Sequence, residues 1–238
     1  MLPRKKKIIL TLIILVYGIF AVNCVTTEPF THIDTFNINS DHYREIRRGP
    51  WEVIGKTDYQ LIFDHDEKII HLRGGETGKG DNADNFDFRT RRPAEDWFPD
   101  TEGVIKIHYG FLRQYSAVRG TLLDAAYQYP DYAIRVSGYS LGSSWTQIFL
   151  MDVITHWPDR DVHAILYSPA NPWRRLPKKY QLELEKRTIF VYPHWDPVTW
   201  MAVAGFHRYG QNIVIGKWWR FLPIQHNPRQ VIRALDEI

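Results

Sequence analysis

Three observations predict an α/β fold in which a mainly parallel sheet is covered by helices on both faces. Apolar runs of strand length alternate with helical patterns through the second half of the chain. One such run, residues 132–136, leads into Gly138-Tyr139-Ser140-Leu141-Gly142 and then into a helical stretch. That is the strand–turn–helix context of a nucleophile elbow. Finally, 44% of the 238 residues are apolar, enough to build one large domain around its own core.

The N-terminus stands apart. Arg4-Lys5-Lys6-Lys7 precedes an uncharged apolar run, residues 8–22, extendable to Thr27. A basic head before an apolar segment reads as a cleaved signal peptide or an uncleaved signal-anchor. The cleavage pattern around Ala21-Val22-Asn23 is poor, which favours the anchor. The expected location is therefore membrane-anchored by a single N-terminal hydrophobic helix, with the catalytic domain on the non-cytoplasmic side, or secreted. Residues 1–27 form this segment, 28–58 a linker and early helix or turn, and 59–238 the main domain. Without the four basic residues the net charge of +3 becomes −1. The body has no basic stripe of the kind that binds nucleic acid. The single cysteine, Cys24, excludes disulfides and thiolate chemistry in the domain.

Residues 59–63 and 68–72 alternate like strands around Asp64-His65-Asp66-Glu67, a hairpin that ends in Arg73-Gly74-Gly75. Residues 77–100 are polar and irregular, too long for an ordinary connection. A short strand is expected over 103–107. Phe111, Tyr115, Val118, Leu122 and Ala126 recur at helical spacing up to Pro130, so 111–129 is a helix. The elbow strand follows, then a helix over about 143–155 and a strand over 162–167. Residues 171–179 read as a Pro- and Arg-rich loop. Strands follow at 188–192 and 213–215, with another candidate at 218–222. Pro228 opens a final helix, 228–235.

The chemistry starts at Ser140. A sharp turn needs very small residues two positions either side, which Gly138 and Gly142 supply. A serine nucleophile needs a base, and the base an orienting carboxylate. In this architecture the order is Ser, Asp, His, each at the C-terminal end of a strand. Asp196 lies just past the strand ending at Tyr192, and His226 just before the last helix. His207 and His194 are rival bases. Asp159 and Asp161 precede their strand and are weaker acids. Two backbone donors should face the developing oxyanion. The N–H of Leu141 follows the nucleophile, and Gly75 lies at the end of an earlier strand. No histidine pattern has metal-ligand spacing, and the glycine-rich run 74–80 lacks the Ser/Thr of a phosphate loop. No metal or cofactor is expected.

Several ordered motifs together resemble the fungal-type, or class 3, lipases of the α/β-hydrolase superfamily. Leu72-Arg73-Gly74-Gly75 resembles Phe-Arg-Gly-Ser/Thr. Asp96-Trp97-Phe98-Pro99-Asp100 resembles Asp-Trp-x-x-Asp. His108-Tyr109-Gly110-Phe111 resembles His-x-Gly-Phe. Residues 138–144 resemble Gly-His-Ser-Leu-Gly-Gly-Ala, Asp196-Pro197-Val198 resembles Asp-x-Val, and His226 matches the late histidine. The resemblance implies an α/β-hydrolase fold and a Ser140–Asp196–His226 triad with Leu141 and Gly75 as oxyanion donors. It implies a serine hydrolase, triacylglycerol lipase- or carboxylesterase-like, cleaving a carboxylic ester of an acylglycerol or phospholipid. Its partners would be the lipid or small-ester substrate and a membrane surface met through the N-terminal segment. Three departures from the family pattern stand out. Tyr139 and Gly75 replace the family's His and Ser/Thr, and the lid region, 76–96, is polar. The alternatives are an inactive, membrane-tethered lipase-like module and an esterase or thioesterase for small esters.

Overall fold

The computed structural model describes Arg44 and residues 52–54, 57–75, 88–94, 96–98, 104–193, 196, 198–199, 205–215 and 228–236. Its framework is a seven-stranded sheet in the order β1-β2-β3-β6-β7-β9-β10. The first three strands, β1 (Glu52–Ile54), β2 (Thr57–Asp64) and β3 (Ile69–Gly74), form an antiparallel meander. The hairpin read from the sequence is the β2–β3 pair, with Leu61 opposite Leu72. From β3 onward every neighbour is parallel: β6 (Ala133–Tyr139), β7 (Val162–Tyr167), β9 (Thr188–Pro193) and β10 (Gln211–Ile215). Parallel strands need crossovers, and helices supply those between β3 and β9.

Helix α1 (Tyr109–Gln128) carries β3's side of the chain to β6, and α2 (Leu141–His156) carries β6 to β7. A third helix, α3 (Lys178–Arg187), leads into β9, and α4 (Pro228–Leu235) packs against β9 and β10. The helices flank the sheet on both faces, as the α/β reading expects. Buried residues of α1 follow its apolar stripe, Phe111, Tyr115, Val118, Leu122 and Ala126. In contrast, α2 is buried on every side from Leu141 to Ile154. A helix with no solvent face belongs at the centre of a core.

A second, three-stranded antiparallel sheet was not foreseen. It joins β4 (Thr90–Arg91), β5 (Lys106–His108) and β8 (Trp173–Arg175). The expected loop over 171–179 thus holds β8 and the start of α3. The reason is tertiary. Trp173 is fully buried and its backbone pairs with His207, so a segment with no strand periodicity of its own is drawn into a sheet. The candidate strand over 218–222 and the apolar run 8–22 lie outside the described residues.

The expectation of a membrane-anchored location is corrected. Among the described residues no helix is long and apolar enough to cross a membrane, so single-pass anchoring has no support in the structure. Neither helix flanking the elbow approaches that character. Helix α1 has the length but carries a polar face, and α2 owes its apolarity to its place in the core.

Candidate active site

The elbow is built as its sequence requires. β6 sits between β3 and β7 and ends at Tyr139, and α2 begins at Leu141. Ser140 lies between them with φ 53° and ψ −122°. A non-glycine residue there carries strain of about 1–3 kcal/mol and persists only where its surroundings hold it. Here the Ser140 N–H donates to the Tyr167 carbonyl at 3.0 Å. The Ser140 carbonyl accepts the Ser143 hydroxyl at 2.6 Å and the Ser144 hydroxyl at 3.1 Å. Both small residues after Gly142 therefore do more than leave room: their hydroxyls tie the first turn of α2 to the strained peptide. Gln147 extends the clamp, donating from Nε2 to the carbonyls of Ser143 and Ala170.

Close approach explains the glycines. A Cβ on Gly142 would stand 2.3 Å from the Gly74 carbonyl oxygen, and one on Gly74 would stand 2.4 Å from the Gly142 oxygen. Gly138 faces the same turn, where a Cβ would meet the Ser143 nitrogen at 2.8 Å. The end of β3 and the start of α2 thus touch backbone to backbone beside Ser140. This contact brings Gly75 and Leu141 to one edge. Leu141 is buried at the first position of α2, where helix N–H groups lack intrahelical acceptors. Gly75 is also buried, but its N–H donates to the Asp58 carbonyl of β2 at 2.8 Å.

Asp196 lies three residues past the end of β9, which is the second strand over from β6. The carboxylate is fully buried, and its Oδ1 accepts the Val198 N–H at 2.9 Å. Its backbone is fixed as well, since its N–H donates to Pro193 and its carbonyl accepts the Thr199 hydroxyl. His226 lies outside the described residues, two positions before α4 opens against β9 and β10.

The rivals separate by position. Asp161 accepts Arg135 at 2.8 Å, and its carbonyl accepts the Ile134 N–H at the start of β6, so it sits at the opposite edge from Ser140. His207 is exposed and bridged by its backbone to Trp173, and His194 is outside the described residues. No group of three or more His, Cys, Asp or Glu among the described residues could hold a metal ion.

Two supporting features escape a sequence reading. Ser168, next to Ser140 across the β6–β7 register, has φ 46° and is fully buried, and its N–H donates to Val191. Ser168-Pro169 reads as a turn in the sequence, but serine is no signal of positive φ. Arg208 donates to the Thr199 carbonyl and to the Asn171 side chain, so the Asp196 turn is braced from the β10 side.

A family model described as lipase (class 3) matches residues 69–204, more than half of the chain. The chain belongs to the class 3 lipase family. A lipase of Rhizomucor miehei is 26% identical over 153 residues, covering 57% of this chain and 42% of that protein. This class 3 lipase chain therefore spans about two-fifths of the length of that curated relative. Among solved structures, a Rhizomucor miehei lipase–propeptide complex superposes with a TM-score of 0.56 at 18% identity, covering 77% of this chain and 65% of that one. A triacylglycerol lipase from Penicillium expansum gives 0.56 at 19% identity, covering 75% and 76%. At such identities the superpositions speak to the fold.

Proposed function

We propose that this class 3 lipase chain is a serine hydrolase that cleaves a carboxylic ester of a lipid, an acylglycerol or a phospholipid, through an acyl-enzyme on Ser140. The observation that carries the reading is the strained Ser140 at the β6–α2 turn, held from both sides by side-chain and backbone bonds. Such strain is retained where a side chain must be aimed. The buried Asp196 supplies the orienting carboxylate, and His226 the base.

In this reading His226 takes the Ser140 proton as Oγ attacks the ester carbonyl carbon. The carbonyl oxygen becomes an oxyanion beside the Leu141 N–H, at the positive end of α2. Collapse expels the alcohol, which takes the proton back from His226. Water, deprotonated by His226, then attacks the acyl-enzyme and releases the acid and free Ser140. The Gly75 N–H serves as second donor only after leaving the Asp58 carbonyl. Oxyanion binding therefore requires a small rearrangement at the end of β3.

That same engaged N–H is what favours the second reading, a catalytically silent lipase-like module. Hydrolysis of a chain-length series of p-nitrophenyl esters separates the two. Turnover by the wild type that disappears in Ser140→Ala supports the hydrolase. A folded wild type with neither turnover nor fluorophosphonate labelling of Ser140 contradicts it.

A further inference from the structure

The nucleophile and the acid lie on either side of one strand. β6 ends at the elbow, β9 leads to Asp196, and β7 runs between them. A base that links the two therefore bridges the end of β7, and the first residue past that end is Ser168. The peptide joining Tyr167 to Ser168 is held from both sides. Its carbonyl accepts the Ser140 N–H at 3.0 Å and the Ser143 hydroxyl at 3.3 Å. Its N–H donates to the Val191 carbonyl of β9 at 2.9 Å. One peptide thus fixes the elbow relative to the strand that carries Asp196.

The Ser168 side chain has no part in that clamp. Its hydroxyl is buried, with no hydrogen-bond partner among the described residues. Other hydroxyls around the site are satisfied: Ser143 and Ser144 donate to the Ser140 carbonyl, and Thr199 to that of Asp196. A buried hydroxyl left alone is destabilising. The backbone adds a second cost. Its φ of 46° lies in the left-handed region, and Pro169 favours extended backbone in the residue before it. Glycine would remove both costs at once. Strain of this kind concentrates where a side chain acts.

The chemistry of the proposed mechanism names the partner. When His226 takes the Ser140 proton, both ring nitrogens are engaged as donors, and the ring offers Ser168 no acceptor. The Asp196 carboxylate does. Its two oxygens have about four lone-pair sites, so a hydroxyl can join the Val198 N–H and the imidazole there. Asp196 is itself fully buried, in a turn that starts from Pro193, the last residue of β9. We infer that Ser168 is a positioning residue of the triad, whose hydroxyl turns to donate to the Asp196 carboxylate as His226 becomes charged. The carboxylate is thereby held toward the base at the moment the ion pair forms. The inference deepens the hydrolase reading of Ser140 and rests on it.

The test sets activity against stability, in the full chain, with a p-nitrophenyl ester assay beside a thermal melt. Ser168→Gly removes the hydroxyl and suits the backbone. Its melting temperature should hold or rise. Its kcat should fall about tenfold to a hundredfold with KM unchanged, the mark of an interaction made only in the transition state. Fluorophosphonate labelling of Ser140 should slow by a similar factor. Ser168→Cys keeps a side chain of similar shape but donates weakly, so its kcat should fall in the same way. It carries the test should the glycine variant fail to fold. A wild-type kcat per folded molecule in either variant would overturn the inference. So would a rise in KM alone, which would place Ser168 against the substrate instead. A folded wild type with neither turnover nor labelling would sink the hydrolase reading, and the inference with it.

Discussion

Two aspartates, Asp152 in α2 and Asp196 beyond β9, are shielded completely from solvent. Asp152 is surrounded by side chains. Its Oδ2 accepts the Tyr115 hydroxyl at 2.5 Å and Arg119 Nε at 2.6 Å. Its Oδ1 lies 3.0 Å from His156 Nδ1 and 3.3 Å from the other arm of Arg119. Asp196, in contrast, is held by the backbone of its own turn, through the Val198 N–H. Asp152 lies about 18 Å along the helix from Ser140. Asp196 follows a strand end at the Ser140 edge. The difference shows how to tell two buried carboxylates apart. One saturated by fixed cations and a phenol joins helices, whereas one set by a turn just past the end of a parallel strand lies where the proposed triad needs its carboxylate.

The Asp152 network also reaches the Asp-Trp motif. The Arg119 guanidinium lies 4.5 Å from the Trp97 ring centroid, and Trp97 meets Tyr115 edge-on. Burial, with the charge and hydrogen bond of Asp152, pushes the Tyr115 phenol well above its ordinary value. For Arg119, burial alone would lower the pKa, but the hydrogen bond and charge of Asp152 outweigh it and the net shift is upward. The Tyr115 phenol therefore stays neutral and Arg119 stays charged through the ordinary pH range.

The contrast can be broken by exchange. Asp196→Asn should lower kcat/KM by about ten-thousandfold, the cost of losing the orienting carboxylate, while the melting temperature stays within a few degrees. A thermal melt beside an ester assay checks both halves. Asp152→Ala should do the reverse. Removing one partner of a buried ion network costs about 3–5 kcal/mol, a fall in melting temperature of about 10 °C, while turnover per folded molecule holds. Tyr115→Phe keeps the ion pair and loses one hydrogen bond to a charged group, so about 2 kcal/mol is expected in denaturant unfolding.

The smallest expected effect is at the far edge of the sheet, where Asp161 is half exposed between Arg135 and His163. Burial lowers the His163 pKa from its ordinary 6.5, against the pull of Asp161. The unfolded chain then binds the proton more readily. Stability is therefore full above about pH 6.5 and falls as pH drops through the folded value. His163→Asn should flatten that part of a melting-temperature profile. Asp161, lowered chiefly by its Arg135 hydrogen bond, loses its contribution in more acid solution, below its ordinary 3.8.

How much of this was legible depended on where each signal lay. The elbow could be read because its steric demands fall on neighbouring positions, Gly138, Ser140 and Gly142. Helix α1 could be read because Phe111, Tyr115, Val118 and Leu122 form one stripe. Helix α3 could not, since only Tyr180 and Leu184 are buried in a run of Lys, Glu and Gln. Strand β8 exists through its partners β5 and His207, which a local pattern does not encode. The Asp152 network joins residues more than thirty positions apart. The bond from Gly75 to Asp58 depends on how β2 meets the end of β3, which glycine spacing does not fix.

The most direct test of the assignment is the rate at which a fluorophosphonate labels Ser140 in the wild type, Asp196→Asn and Asp152→Asn, each corrected for folded fraction. The expected result is a loss of about a thousandfold or more in Asp196→Asn and a wild-type rate in Asp152→Asn. Labelling of Asp196→Asn at the wild-type rate would contradict it and remove Asp196 from the catalytic edge.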